Sequence, residues 1–433
     1  AFAELFMKGN MHFSIYRLLC GILLKISPDN FIDLIILFQL LCGVIISFLV
    51  VYVSRRLGYR KNSAMLCGIL CASYSTAMIY ECFTLPESFF VFFCFLSVAG
   101  FFYFRKRNSA SALVFSGILF CLPALTRISG MLWSLSLILI FYFYRSLKRI
   151  KLKQASKGAI FFFSFAGFLG ILIIVSLFNV IKGHNFLPLP AIPDIKYIIS
   201  AGNSNTIIPS DYSRYEEDAS ADKSVKLSVS KLFEKFLMVF HHREIPNNIN
   251  CYFISDVMFP LMWTIKSRII LPVSITGILI LLFEFKFFSR FSILFAYLIF
   301  LTLPMVVFLP LARYRLALYP VFCIFAVYPM VFLEHKLQAK TYQKYLATAV
   351  FFALITLSIL FTNDYKYSSL RATDLISFAI GMEECAYDDL SVEMVYREAF
   401  MLETNAQSAI YLSSFLMKKN DFAGAVAVLR NFY

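Results

Sequence analysis

Charged residues are scarce in this chain of 433 residues. Asp, Glu, Lys and Arg make up 15% of it, whereas soluble globular proteins contain about 25%. Hydrophobic residues reach 60%, and the mean hydropathy is +0.75. This composition excludes an ordinary soluble domain. Apolar runs of about 18–25 residues recur along the sequence, which is the length that a membrane-spanning helix needs.

The fold class follows from these apolar runs. We predict an all-α, polytopic helical membrane protein, because a helix satisfies its own backbone hydrogen bonds within lipid. About ten spans are predicted, at 30–53, 62–80, 87–104, 110–125, 128–144, 158–181, 269–285, 291–309, 316–333 and 344–361. They form a front group within 30–183 and a back group within 269–362, separated by a large loop at 184–268. Residues 1–29 are interpreted as part of a first loop, with an interfacial helix in "FSIYRLLCGILLKISP".

CxxC pairs and zinc-ligand spacings are also absent, although the chain contains ten cysteines. The residues His241, His242 and Glu244 could ligate a metal, but their spacing fits no standard motif. No metal site is therefore predicted, and a divalent metal stays an alternative. Eight cysteines lie in or beside apolar runs, where we expect them to pack as small apolar residues: Cys20, Cys42, Cys67, Cys71, Cys82, Cys94, Cys121 and Cys323.

The positive charges have a regular placement. The formal net charge is +14, but the basic residues lie in short connectors between apolar runs, so we predict no nucleic-acid partner. The connector "RSLKRIKLKQASK" carries six basic residues and no acid. Alternate connectors are basic in this way, and the basic set belongs in the cytoplasm by the positive-inside rule. We therefore predict a multi-pass protein of the cell membrane, with the loop at 184–268 on the extracytoplasmic face.

Five polar residues lie in the short connectors that this topology places outside. Glu87 begins a predicted span, Arg127 lies in the tight turn of "LTRISG", and Arg313, Tyr314 and Arg315 lie in "LARYR". Residues two apart on a helix point to different sides, so the two arginines of "LARYR" cannot both follow one groove to the membrane surface. Guanidinium groups bind phosphate bidentately and remain charged when partly buried. We predict that the three arginines and Tyr314 bind a lipid phosphate.

Simpler roles remain open for these residues. Placement near the positive end of a helix is sufficient to account for Glu87. Arg127 and the arginines of "LARYR" could serve only to anchor the chain at the membrane interface.

The long outer loop carries two polar signatures. "ISAGNSNTIIPSDYS" contains Asn203 and Asn205, and "HHREIPNNINCYFI" contains Glu244, Asn247 and Asn248. Amide and carboxylate groups supply both the donors and the acceptors that sugar hydroxyls need. We predict that these five residues bind a sugar or an acceptor. The alternative is an exposed loop with ordinary turn chemistry.

Hydrophobicity falls in the C-terminal region, 363–433. "AQSAIYLSSFLMKKNDFAGAVAVLRNFY" has apolar residues at helical spacing on both sides of "KNDF". This pattern resembles a tetratricopeptide-like helical hairpin, which predicts a protein partner for this region. A helical tail packed on the membrane helices is the alternative.

Several segments resemble one enzyme superfamily when they are taken in order. "RRLGYRKNSAMLCGIL", "YECFTLPESFFVFFCFL" and "SGILFCLPALTRISGMLW" are similar to the front half of GT-C glycosyltransferases, and "ARYRLALYPVFCIFAVY" is similar to the back half. The bacterial group related to dolichyl-phosphate-mannose–protein mannosyltransferases is the nearest in pattern. The resemblance covers about 1–335. It implies transfer of a sugar from a polyprenyl-phosphate donor to an acceptor on the outer face, with arginines holding the lipid phosphate.

The resemblance also implies a catalytic Asp in the first outer loop, shortly before a segment like "AFAELFMKGN". This segment begins the chain at Ala1, so we expect that Asp and a first spanning helix to lie upstream. No catalytic residue is assigned, and Glu87 and Glu244 are held as weak candidates for the general base. The competing functions are a transporter or flippase of a lipid-linked or anionic substrate, and a non-catalytic membrane scaffold. A transporter should place ionisable residues near the middle of broken helices, whereas these spans have almost none.

Overall fold

The structure is a computed structural model that describes residues 15–105, 107, 109–127, 129–147, 157–181, 229–241, 250–257, 264–283, 285–307, 311–338 and 371–432. Regular structure in these ranges is helical, and none of them contains a β-strand. An isolated parallel bridge pairs Tyr74 with Ile265. The all-α class is confirmed for these ranges.

The helices are numbered in chain order. They are α1 (Ile15–Ile26), α2 (Phe31–Leu57), α3 (Lys61–Ala72), α4 (Ser75–Glu81), α5 (Glu87–Phe104), α6 (Ala110–Cys121), α7 (Ser129–Leu147), α8 (Lys157–Ile181), α9 (Val229–Val239), α10 (Cys251–Val257), α11 (Ser267–Phe283), α12 (Phe285–Val307), α13 (Ala312–Arg315), α14 (Tyr319–Gln338), α15 (Ala372–Glu384), α16 (Asp389–Leu402), α17 (Ala406–Lys418) and α18 (Phe422–Phe432). A 3₁₀ turn at Leu316–Leu318 joins α13 to α14. The chain divides into two compact units, the first containing α1–α9 and α11–α14 and the second containing α10 and α15–α18.

Four segments in the described ranges are long and apolar enough to cross a membrane. They are Phe31–Leu57, Glu87–Phe104, Arg290–Val307 and Ala312–Glu334. The count of ten spans therefore stays a prediction, and the predicted span 344–361 lies outside the described residues.

The predicted span 62–80 is divided into α3 and α4. Residues between the two helices form strand-like hydrogen bonds with Ile265, whose amide donates to the carbonyl oxygen of Ser73 at 2.9 Å and whose carbonyl oxygen accepts from the amide of Ser75 at 3.1 Å. These bonds replace part of the helical ladder and end α3.

Buried polar bonds hold the first unit together around the segment that carries the "LARYR" arginines. The Tyr297 hydroxyl of α12 donates to the carbonyl oxygen of Ala317 at 2.7 Å. The ring of Trp133 packs edge-on against Tyr297, and its indole nitrogen donates to the hydroxyl of Ser97 at 2.9 Å. These contacts join α5, α7 and α12 to the 3₁₀ turn. The position of α13 is thereby fixed at its C-terminal end.

Small residues allow α6 and α8 to approach closely. A Cβ atom built at Gly117 would overlap the carbonyl oxygen of Ser164, and one built at Gly167 would overlap the carbonyl oxygen of Val114. Membrane helices commonly use glycine at such crossings, because van der Waals packing of backbones drives their association.

The second unit combines α10, from the middle of the chain, with the four C-terminal helices. Asn250 caps α10 by accepting hydrogen bonds from the amides of Tyr252 and Phe253, and its side-chain amide donates to Asp374 at 2.7 Å. Asp374 also pairs with Arg371 at 2.7 Å. Helices α17 and α18 pack against each other across the turn that contains "KND". The tetratricopeptide assignment stays a prediction.

All ten cysteines are free thiols. Seven of the eight that were predicted to pack between helices are buried, whereas Cys82 is exposed. Cys82 lies in the connector that joins α4 to α5, where the chain turns at the surface of the unit. Cys385 is the other exposed thiol.

Candidate functional site

Glu87 is the first residue of α5, directly after Pro86. It is only 2% exposed. The connector that precedes it is held by Gln39 of α2, whose side-chain amide donates to the carbonyl oxygens of Phe83 at 2.9 Å and Leu85 at 3.0 Å. These two bonds fix the entry of the chain into α5. The buried position of the Glu87 carboxylate is therefore set by contacts outside its own helix.

Arg127 is the partner of this buried carboxylate. It follows the tight turn after α6, in which its amide donates to the carbonyl oxygen of Pro123 at 3.3 Å. The Nη1 atom of Arg127 donates to Oε1 of Glu87 at 2.9 Å, and the arginine side chain stays 18% exposed. An ion pair of this kind, with one buried partner, orients the guanidinium group without enclosing it. Arg127 retains further N–H donors, since a guanidinium carries five.

Tyr314 receives two arginines on one ring. The guanidinium carbon of Arg127 lies 4.6 Å from the ring centroid of Tyr314, and that of Arg313 lies 4.8 Å from it. Arg313 also donates from Nη2 to the Tyr314 hydroxyl at 2.8 Å. Cation–π contact of this kind orients a guanidinium group while leaving its N–H edge available. The tyrosine thus brings together arginines that are far apart in the sequence.

We call Glu87, Arg127, Arg313 and Tyr314 the arginine–tyrosine cluster. The cluster contains two guanidinium groups and one carboxylate, so its formal net charge is one positive charge. Within the described residues, Oε2 of Glu87 and Nε of Arg313 are buried and make no hydrogen bond to protein. A buried polar atom without a partner is costly unless a ligand or water satisfies it. The cluster therefore offers a donor and an acceptor to an anionic ligand that also carries a hydroxyl group.

Arg315 is not in this cluster. It is 4% exposed, and its Nη2 atom donates to the backbone carbonyl oxygen of His241 at 2.6 Å. The prediction that Arg313 and Arg315 point to different sides is confirmed, because they reach different partners from one helical turn. Arg315 instead lines a small pocket with Tyr74, Tyr319 and other residues. The cavity volume is about 10 Å³, which is room for about one water molecule.

The remaining predicted site residues lie outside the described residues. They are Asn203, Asn205, Glu244, Asn247 and Asn248. Their assignment to the sugar or acceptor stays a prediction. His242 is likewise not described, and the described ranges hold no group of three side chains able to bind a metal.

Sequence reasoning missed Glu81, which lies just beyond the predicted span 62–80. Its carboxylate packs against Gly43 of α2, where a Cβ atom would overlap it. Burial raises the pKa of Glu81 from 4.5 to about 8, because a carboxylate loses its hydration there. This contact could not be predicted, because the sequence around a glycine in a long apolar helix does not indicate which acidic residue packs against it.

Two solved structures resemble the chain. Both are of the Archaeoglobus fulgidus oligosaccharyltransferase, one in the apo form and one tethered with an acceptor peptide containing the NVT sequon via a disulfide bond. The sequence identities are 14% and 15%, and the TM-scores are 0.40 and 0.39. The matches cover 86% and 90% of this chain and 50% of each of those chains, so the chain spans about half the length of these structures. No protein-family model and no curated protein matches the sequence.

Proposed function

We propose that the chain is an integral membrane glycosyltransferase of the GT-C type. It would transfer a sugar from a polyprenyl-phosphate donor to an acceptor on the extracytoplasmic face of the cell membrane. The observation that carries this proposal is the arginine–tyrosine cluster, in which two guanidinium groups meet at one tyrosine ring beside a buried carboxylate. A donor anchored in lipid would present its phosphate at the level of the membrane interface, where the predicted topology places the cluster.

The proposed chemistry assigns the arginines to the leaving group. As the acceptor oxygen attacks the anomeric carbon, the bond between that carbon and the phosphate oxygen breaks, and the phosphate leaves with the electron pair. Fixed donors aimed at this oxygen stabilise the charge that develops in the transition state. Arg313 and Arg127 are the donors in this proposal, and Tyr314 orients both. The general base would take the proton of the acceptor hydroxyl and remains unassigned.

Glu87 has an orienting role in this proposal. Its Oε1 atom is engaged by Arg127, so this oxygen is less suited to proton abstraction than a carboxylate facing the acceptor. Its free Oε2 atom would accept a hydrogen bond from a hydroxyl of the donor sugar. The loop residues Asn203, Asn205, Glu244, Asn247 and Asn248 would complete the sugar or acceptor side.

Binding of a polyprenyl phosphate tests the proposal. Affinity is measured in lipid nanodiscs for the phosphate and for the matching polyprenol, which lacks the charge. Arg313→Met and Arg127→Met should each weaken phosphate binding by about tenfold or more, because a hydrogen bond to a charged group contributes about 1.5–3 kcal/mol. Neither change should affect binding of the polyprenol.

Arg107→Met is the matched control. Arg107 also stacks on a tyrosine, with its guanidinium carbon 4.2 Å from the ring centroid of Tyr103. It lies, however, in the basic connector "RKR" at 105–107, which the positive-inside rule places in the cytoplasm. Its replacement should leave the affinity for the phosphate unchanged. Equal losses from all three variants, or no loss from either cluster arginine, would reject the phosphate role.

A further inference from the structure

Helix α9 exposes apolar side chains, whereas two of its charged residues are partly covered. Glu234 and Lys235 are half-buried. Four apolar residues are exposed at helical spacing along one face, with 80%, 61%, 43% and 41% of their surface accessible: Val229, Phe233, Phe236 and Leu237. A helix on the surface of a soluble protein has the opposite arrangement, with its charged residues outward. We call these four residues the α9 apolar face.

The neighbour of α9 indicates what covers this face. The helix packs against α12, which contains a candidate membrane span at Arg290–Val307. The span itself exposes the apolar side chains of Ile299 and Leu303. An apolar helix face beside a lipid-facing span has the same surroundings as that span. Aromatic and aliphatic side chains of this kind insert at the boundary between headgroups and acyl chains.

Arg315 ties the end of α9 to the "LARYR" segment. His241 lies two residues after α9, and its carbonyl oxygen accepts the 2.6 Å bond from Arg315. A cation at the C-terminal end of a helix is also favoured by the helix dipole. The ring of Phe240 contacts Phe322 at a centroid distance of 6.1 Å. The helical turn that carries Arg315 also carries Arg313. The short helix α13 therefore contacts the end of α9 through Arg315 and contributes Arg313 to the arginine–tyrosine cluster.

We propose that α9 is a membrane-surface helix whose apolar face lies among phospholipid acyl chains, and that Arg315 is a positioning residue that holds this helix to α13. Lipid contact at α9 would then fix the segment from which Arg313 reaches Tyr314. This last step rests on the proposed function of the cluster, whereas the lipid contact and the clamp do not.

Spin-label depth measurements test the lipid contact. A nitroxide is attached at Phe233→Cys in a background with Cys82→Ser and Cys385→Ser, which removes both exposed thiols. The protein is placed in phosphatidylcholine–phosphatidylglycerol vesicles, and collisions with oxygen and with a water-soluble nickel chelate are compared. Gln407→Cys, on the exposed surface of α17, is the matched control.

The label at position 233 should collide with oxygen more than with nickel, and the label at 407 should show the reverse. Equal nickel access at both positions would overturn the proposal by placing α9 in water. Low access of both reagents at 233 would also overturn it, since a protein partner or a second copy would then cover the face.

Amide hydrogen exchange tests the clamp. Arg315→Met should accelerate exchange in 311–318 and in the last turn of α9 by roughly tenfold. It should also increase the mobility of the label at position 236 in a Phe236→Cys variant. Arg315→Lys, which keeps a donor and a charge, should restore part of the protection, and Arg313→Met should leave α9 unchanged.

In a Trp263→Phe background, which leaves Trp133 as the one tryptophan of the sequence, the fluorescence of this buried residue reports whether each variant is folded. Unchanged exchange and mobility in a folded Arg315→Met variant would reject the clamp. These readouts require no sugar donor, so they remain valid if the cluster does not bind phosphate. Conversely, if Arg315 does not hold α9 to α13, the loss of phosphate affinity predicted for Arg313→Met is still expected.

Discussion

The Glu87–Arg127 ion pair yields a prediction that separates stability from ligand binding. Glu87 is 2% exposed, and the pair is 2.9 Å long, with the Arg127 side chain 18% exposed. Removing one partner of a buried pair costs about 3–5 kcal/mol, because the other charge is left without compensation. Arg127→Met should therefore reduce the free energy of unfolding by about 3 kcal/mol, at the lower end of that range, since the pair is only partly enclosed.

The reverse single change should be milder. Glu87→Leu leaves Arg127 with access to water and with its contact to Tyr314, so a loss of about 1 kcal/mol is expected. The double variant Glu87→Leu, Arg127→Met replaces the pair by apolar side chains. Such replacements are often close to neutral, so the double variant should lie within about 1 kcal/mol of the parent protein.

The measurement is equilibrium unfolding in mixed micelles with an increasing fraction of dodecyl sulfate, followed by tryptophan fluorescence. The reporter is Trp133, which is fully buried, in a Trp263→Phe background that removes the second tryptophan of the chain. Losses of about 3 and 1 kcal/mol in the single variants, with a double variant within about 1 kcal/mol of the parent, correspond to a coupling free energy of at least about 3 kcal/mol between the two sites. Additive losses in the double variant would refute the buried-pair interpretation. If the interpretation is correct, the double variant should be stable but should bind a polyprenyl phosphate more weakly than the parent protein, because the guanidinium donors of Arg127 have been removed.

Two further predictions concern the helices around the site. Gly167→Ala should destabilise the protein by about 1–3 kcal/mol, because the new Cβ atom would meet the backbone of α6. Gly170→Ala in the same helix is the control, since a Cβ atom there has no other atom within 4 Å. In the same micelle assay, the control should be neutral or stabilising by up to about 1 kcal/mol. Burial raises the pKa of Glu81 to about 8, so the folded state holds a proton that the unfolded state releases above about pH 4.5. The free energy of unfolding should therefore fall as the pH rises from 5 to 9. Thermal unfolding of Glu81→Gln should lack this part of the pH dependence, and an unchanged dependence of stability on pH would contradict the raised pKa of Glu81.

The presence of helices long and apolar enough to cross a membrane was predictable from composition and the lengths of the apolar runs alone. Long apolar runs report directly on the solvent that surrounds a helix, and four described helices meet that criterion. The break between α3 and α4 was not predictable, because it depends on a bridge to Ile265, far along the sequence. Local patterns carry no information about such a distant partner.

The candidate site was predictable only in part. Sequence placement grouped Glu87, Arg127 and Arg313 to Arg315 on one predicted face, and the structure brings four of these five residues together. The separation of Arg315 follows from the single turn of α13, which sends residues two apart in different directions. Its partner could not be found from the sequence, since a backbone carbonyl such as that of His241 has no residue-type signature.

The composition of the second unit bears on how the protein can be dissected. Its core draws on α10, and the bond from Asn250 to Asp374 joins positions 124 residues apart. Cutting the chain at about residue 370 would therefore not excise an autonomous module. The C-terminal fragment would lack α10, which is part of its own core. The remaining N-terminal part would expose the apolar side of α10, including Phe253. Deletion phenotypes obtained in that way would report on damage to a loop as much as on loss of the tail.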